Sequence, residues 1–337
     1  MAEIEENKLR FKPRARIIRT IGDQLISGPE AAVIELVKNA YDADASYVEI
    51  KFSPPLLLGQ GRISITDDGH GMSLDDIRLK WMEPATTSKV KDRLSPSNTR
   101  KMMGSKGIGR FAAAKLGAKM ALTSTVLAEE GNVAVLIPVL DWSFFSDDVY
   151  LSDIAIDYLV QNVEGPTGTT IEVIELHQSW TKDRLSKLYS ELRRLLSPFA
   201  ASHENSDDFS VFLDLSDCDE DSVGFDPSDI FEESEDEGDG SSYRGHGRRV
   251  HPFPLLSACD YELNGKLAPN GAFEGSFTIH RAGRGTEKIS IPGAGIKQDE
   301  SAGIVEVHLY MFDREADALK SNMNAAGMGG FECCRSP

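Results

Sequence analysis

The chain has 337 residues, 40% of them hydrophobic, which is enough to bury a core and, by length, to form two domains. No apolar run approaches the ~20 residues that span a bilayer, and the charged start, M1-A-E-I-E-E-N-K-L-R10, does not resemble a secretory leader. The net charge of −18 excludes less than it suggests: sixteen acidic residues and no Lys or Arg fall between Glu204 and Ser242, so the remainder is close to neutral and DNA is not ruled out as a partner. Cys218, Cys259, Cys333 and Cys334 follow neither a zinc pattern nor a disulfide framework, and a reducing cytoplasm is the expected setting.

Residues 13 to about 175 read as one α/β unit. Ser27 and Glu30 have capping-box spacing, which predicts a helix through residues 31–41. Alternation predicts strands over 47–52 and 62–66. The polar stretch from about 84 to 104 reads as a mobile loop. A short helix is expected over 108–116, with strands over 119–126, 133–139 and 169–174. Leu185, Leu188, Leu192 and Leu195 are at helical spacing and predict an amphipathic linking helix within 177–200. The acidic segment from about 214 to 242 has little to bury and reads as a solvated, disordered insertion. Strand-like runs resume at 261–263, 275–280 and 304–312, giving a second, β-rich domain.

Four elements carry candidate chemistry. On the first helix Glu35, Asn39 and Asp42 are at i, i+4 and i+7 and share one face among apolar neighbours. A polar stripe there is either a solvent-facing edge or a catalytic carboxylate beside a metal-binding amide. Asp67 ends an alternating strand and opens D67-D-G-H-G71, where glycines allow close backbone approach. A carboxylate so placed can accept a hydrogen bond from the amine of adenine. G104-S-K-G-I-G109 runs into a helix, so successive N–H groups, the helix N-terminus and Lys106 make an anion cradle. G168-T-T-I-E-V173 starts a strand with hydroxyls. Gly107 to Ala112 also fits G-x-G-x-x-A, but a dinucleotide-binding unit needs a preceding strand and a later acid-tipped strand that are not evident.

In this order and spacing the elements resemble the GHKL ATPase superfamily, which includes gyrase B subunits, ninety-kilodalton heat-shock chaperones, sensor histidine kinases and MutL. E35-L-V-K-N-A-Y-D-A43 resembles its N box, D67-D-G-H-G71 its first glycine box and G104-S-K-G-I-G109 its second. A85-T-T-S-K89 is similar to the MutL lid, and G168-T-T-I-E-V173 to the last adenine-side strand. The resemblance covers about residues 14 to 175 and leans toward the chaperone-like and Microrchidia-like bacterial branch. It implies a two-layer α/β sandwich of the Bergerat type, with helices on one face of a mixed sheet. Residues 1–176 would form the ATP-binding domain, and residues 201–337 an incomplete transducer-like domain.

The resemblance also implies roles. Glu35 would be the general base and Asn39 the Mg²⁺ ligand. Asp67, Gly69, Gly71, Met72 and Thr169 or Thr170 would surround the base, and Asp42 would shape the pocket. Gly104, Lys106, Gly107, Ile108 and Gly109 would hold the phosphates. ATP would close the lid at about 84–104 and drive the N-terminal domains into a homodimer, with residues 1–20 as the strap. The client would be protein or DNA, with no membrane partner. No lysine or arginine that senses the γ-phosphate can be placed, and the pattern is lost after Tyr310 to Arg314, so a truncated or frame-shifted chain is expected. The alternatives are a histidine-kinase-type phosphotransfer domain and a non-hydrolysing nucleotide-sensing module.

Overall fold

The computed structural model describes residues 11–83, 94–97, 100–104, 111–196, 209–231, 243–245, 247–253, 256, 259–280, 285–293 and 303–313. The chain divides into two compact units, one of residues 1–195 with 207–251, the other of 196–206 with 252–337. Residues 1–10 of the candidate strap, 84–93 and 98–99 of the lid, 105–110 of the second glycine box, 232–242 of the acidic segment and the C-terminal stretch from 314 lie outside the described residues.

The first unit is built on a nine-stranded mixed sheet. Its strands are β1 (Tyr47–Ser53), β2 (Arg62–Asp67), β3 (Gly117–Ala128), β4 (Gly131–Asp141), β5 (Leu159–Val163), β6 (Gly168–Leu176), β7 (Ser210–Asp214), β8 (Tyr243–Arg244) and β9 (Gly247–Arg249). Their order is β5-β4-β3-β6-β2-β1-β7-β9-β8. β1 and β7 run parallel; the other neighbours are antiparallel. Side chains alternate across a strand, and here one face is buried: Val48, Ile50 and Phe52 on β1, Ile63 and Ile65 on β2, Met120 and Leu122 on β3, Ile171 and Val173 on β6. Against this unit's core pack α1 (Ile17–Leu25), α2 (Pro29–Asp42), α3 (Ala112–Leu116) and α4 (Lys182–Leu195). The fold is therefore the expected mixed α/β sandwich, with a separate smaller sheet beyond it.

Three expectations are corrected. The cap of α2 is Gly28 in extended conformation with Pro29 at the first helical position, not Ser27 with Glu30. Proline has no N–H to satisfy there, and the buried Glu30 carboxylate instead meets Arg184 at 3.4 Å and Lys187 at 3.5 Å on α4. That pairing also makes α4 part of the first unit rather than a linker, with Leu185, Leu188 and Leu192 fully buried. Finally, the front half of the acidic segment is folded. It follows directly on β7, which joins the sheet beside β1; within it Asp219 and Ser222 form a capping box, Asp229 pairs with Lys182 at 2.6 Å, and Ile230 is buried. The acids there occupy caps and ion pairs around a few apolar anchors, so charge content alone misjudges them.

The second unit contains a four-stranded antiparallel sheet in the order β12-β11-β10-β13. Its strands are β10 (Tyr261–Leu267), β11 (Phe273–Ile279), β12 (Gly285–Ile291) and β13 (Val305–Met311). Gly265 and Gly275 face each other across β10 and β11, and the Phe273 ring fills the space, 2.5 Å from where a Gly265 Cβ would stand.

Candidate functional site

The polar face of α2 is real and is spent on specific partners. Asp42 is 4% exposed. A buried carboxylate needs hydrogen bonds, and it accepts them from the backbone N–H of Met103 at 2.7 Å and of Gly104 at 3.1 Å. The helix end thus holds the first residues of the second glycine-rich run. One and two turns earlier, Asn39 and Glu35 are half-buried. Glu35 Oε1 takes a salt bridge from Lys38 Nζ at 2.9 Å.

The first glycine box lies against the same end of α2. The Gly69 N–H donates to Asp67 Oδ1 at 2.9 Å and the His70 N–H to the Ala43 carbonyl at 3.1 Å. A Cβ on Gly69 would stand 2.7 Å from that carbonyl. Gly71 has a φ of +71°, and its Cβ would stand 1.9 Å from the Thr125 carbonyl on β3, so glycine is required on both counts. Met72 N–H donates to Ser124 Oγ at 2.8 Å, and Ser124 Oγ is 2.8 Å from Thr169 Oγ1.

Asp67 and Asp68 have separate tasks. Asp68 ties the glycine box to the start of β1, accepting the N–H of Ser46 at 2.8 Å and of Tyr47 at 3.0 Å and bonding the Ser46 hydroxyl. Asp67 keeps some accessible surface. Dense protein around its carboxyl pushes the pKa up to about 6, against the N–H bonds of Gly69 and Thr169, while the Asp68 charge adds to the rise.

Strand register sorts the two threonines. Asp67, Thr169 and Ser124 are cross-strand partners on β2, β6 and β3 and share the face of Ile65 and Leu122, the one the helices cover. Thr170 is on the opposite face, where its hydroxyl lies 3.1 Å from that of Thr66. Of the two candidates only Thr169 can meet a ligand beside Asp67.

The described part of the 84–104 loop is anchored to the residues after α2. Leu94 bridges Lys101. Arg100, 8% exposed, donates from Nη1 to the Ala45 carbonyl at 2.5 Å and lies over the Tyr41 ring. Asp44, at a φ of +57°, accepts the Ser97 N–H at 2.8 Å. Burial alone would raise its pKa, but bonds from Ser95 and Ser97 and the Arg100 charge hold it below the ordinary value.

Lys106, Gly107, Ile108 and Gly109 lie outside the described residues. The other candidates, Glu35, Asn39, Asp42, Asp67, Gly69, Gly71, Met72, Gly104 and Thr169, lie on elements that converge at the C-terminal half of α2. The sequence reading missed Lys38, Ser124, Asp44 and Arg100. Ser124 had a signal: it follows Met120 and Leu122 at period two, a polar residue in an apolar row. An apolar cavity of about 300 Å³ lined by Ile18, Ile77, Trp81, Phe111 and Trp142 contains none of the candidate residues.

A mixed sheet covered by helices, with the polar face of α2 beside the turn opened by Asp67 and the backbone of Met103 and Gly104, makes this a helix-on-sheet α/β domain. Residues 26–161 match the family described as "Histidine kinase-, DNA gyrase B-, and HSP90-like ATPase", so over that stretch the chain is similar to the GHKL ATPases. The chain is 38% identical over 85 residues to "DNA mismatch repair protein MutL" of Thermosipho melanesiensis, covering 25% of this chain and 15% of that protein. It is 30% identical over 175 residues to the protein of the same name from Ralstonia nicotianae, covering 49% and 24%. The matched region is thus less than a quarter of these relatives' length. A solved structure titled "Crystal Structure of N terminal domain of a DNA repair protein" aligns with a TM-score of 0.38 at 16% identity, over 80% of this chain and 70% of that one.

Proposed function

We propose that the chain binds Mg-ATP at the pocket framed by α2, β2 and β6, and hydrolyses it slowly as a clamp-like ATPase. The observation that carries this reading is the convergence on α2: Asp42 holds Met103 and Gly104 at one side, while the box opened by Asp67 abuts Ala43 at the other. Asp67 offers an acceptor for the adenine amine, Asn39 and Glu35 offer oxygens of the kind a hard cation takes, and the glycine run that Gly104 opens would supply N–H groups to phosphate. Magnesium, when bound, offsets phosphate charge. Asn39 would hold it, and Glu35 would orient a water and accept its proton.

Closure of residues 84–104 over the nucleotide, dimerisation through the N-terminal domains, a cytoplasmic setting and a DNA or protein client are part of the same proposal. The resemblance leans toward chaperone-like and Microrchidia-like ATPases, whereas the relatives above are named for mismatch repair; a clamp closed by ATP fits both. Among the described residues no helix is long and apolar enough to cross a membrane.

One observation favours a second reading, a nucleotide-sensing module without turnover: the Glu35 carboxylate is engaged by Lys38. Mg-ATP binding and phosphate release by the wild type and by Glu35→Ala separate the two. Hydrolysis predicts that Glu35→Ala binds ATP but releases no phosphate. A wild type that binds ATP without releasing phosphate supports the sensor, and equal release by both proteins removes Glu35 as the base.

A further inference from the structure

The second unit brings three different metal-ligand types together. Cys259 Sγ, a Glu262 carboxylate oxygen and a His280 ring nitrogen all lie within 4.8 Å of one another. Strand pairing puts them there. Glu262 on β10 is opposite Thr278 on β11, and the His280 N–H donates to the Asp260 carbonyl at 2.9 Å, so the end of β11 returns beside the residues that open β10. Cys259 is 4% exposed, Glu262 half-buried and His280 exposed. His280 Nε2 is 3.0 Å from Glu262 Oε2. The other carboxylate oxygen accepts from Asn264 Nδ2, and Asn264 Oδ1 in turn faces His308 Nδ1 at 2.7 Å.

A surface ion pair between Glu262 and His280 would account for two of the three residues, but not for the thiol that lies within reach of both. In a tetrahedral zinc site, with bonds of about 2.0–2.3 Å, ligand atoms stand about 3.3–3.7 Å apart. The present separations reach that by side-chain adjustments of about 1 Å. Asn264 is placed as an outer partner that fixes the carboxylate.

We propose that Cys259, Glu262 and His280 form a three-ligand site for a zinc-class divalent cation, with a fourth position open to solvent on the His280 side. A thiolate beside an imidazole selects Zn²⁺ over Mg²⁺ or Ca²⁺, which prefer oxygen. Binding releases the thiol proton to solvent and takes the imidazole as its neutral form. The ion clamps the entry of β10 to the exit of β11. This site is independent of the nucleotide pocket.

Cobalt and zinc titration of the full chain, stripped beforehand with a chelator, tests the site. One Co²⁺ per chain is expected, with a thiolate-to-cobalt band in the near ultraviolet, displaced by stoichiometric Zn²⁺ and unaffected by Mg²⁺. Cys259→Ser abolishes the band, Glu262→Gln and His280→Ala abolish stoichiometric uptake, and Asn264→Ala weakens it about tenfold. Cys218→Ser and the double change Cys333→Ser with Cys334→Ser leave it intact. A band that survives Cys259→Ser, one that disappears with Cys333 and Cys334, or a folded wild type that takes up no ion overturns the proposal. Glu262→Gln keeps shape and charge-free hydrogen bonding, so it decides the matter if Cys259→Ser does not fold.

Discussion

Asp42 Oδ2 accepts the backbone N–H of Gly104 at 3.1 Å, with Oδ1 on Met103 at 2.7 Å. A single carboxylate thereby couples the end of α2 to the run that the family resemblance assigns to phosphate. Asp42→Ala strands two N–H groups, each costing about 1–3 kcal/mol if left unpaired. Mg-ATP affinity should fall about tenfold or more, with a smaller loss of thermal stability because the loop can turn to water. Calorimetric titration and thermal unfolding read the two effects, and unchanged affinity would detach the loop from the pocket.

Asp67 is held at a cost. Its folded pKa of about 6 lies above the ordinary 3.8, so the folded state binds the proton more tightly. Stability therefore falls as pH rises from about 4 to about 6, and above that the penalty is complete, at most about 3 kcal/mol. Asp67→Asn removes it, and its unfolding midpoint at pH 7.5 should exceed that of the wild type, the gap closing below pH 4. A lower midpoint at neutral pH would contradict this.

The same group predicts a pH profile for binding. The adenine amine needs an unprotonated acceptor, so Mg-ATP affinity should decline as pH drops through about 6. A competition titration from pH 8 to pH 5 checks this, and a flat profile would exclude Asp67 as the acceptor.

Lys38 holds Glu35 at 2.9 Å across a partly exposed pair. Such pairs contribute up to about 1 kcal/mol, so freeing the carboxylate in Lys38→Met should raise phosphate release by a factor of about five at most, with ATP affinity unchanged. A fall in both would mean that Lys38 meets the nucleotide itself.

The elements with strong periodicity were legible from sequence: α2 from its apolar stripe, β1 and β2 from alternation. The order of Asn39, Asp67 and Gly104 was enough to propose a shared site, and the described residues place Asp67 and Gly104 near the end of α2. What escaped depends on register and packing. Thr169 and Thr170 are adjacent letters, and only the pairing of Asp67 with Thr169 shows which one shares the face of Asp67. Glu30 looked like half of a capping box until α4 supplied Arg184 and Lys187. The 214–231 segment looked unfoldable by charge, yet buried Ile230 and the Asp229–Lys182 pair anchor it. The zinc-class trio is spread over 22 positions of sequence, from Cys259 to His280, and becomes adjacent only through the β10–β11 hairpin.

The nucleotide pocket itself is tested most directly by Mg-ATP binding to the wild type and to Asp67→Asn at pH 7.5. The account predicts one nucleotide bound per wild-type chain and none to Asp67→Asn, although the variant is the more stable protein. Equal affinity in the two, or no binding by the folded wild type, would contradict it.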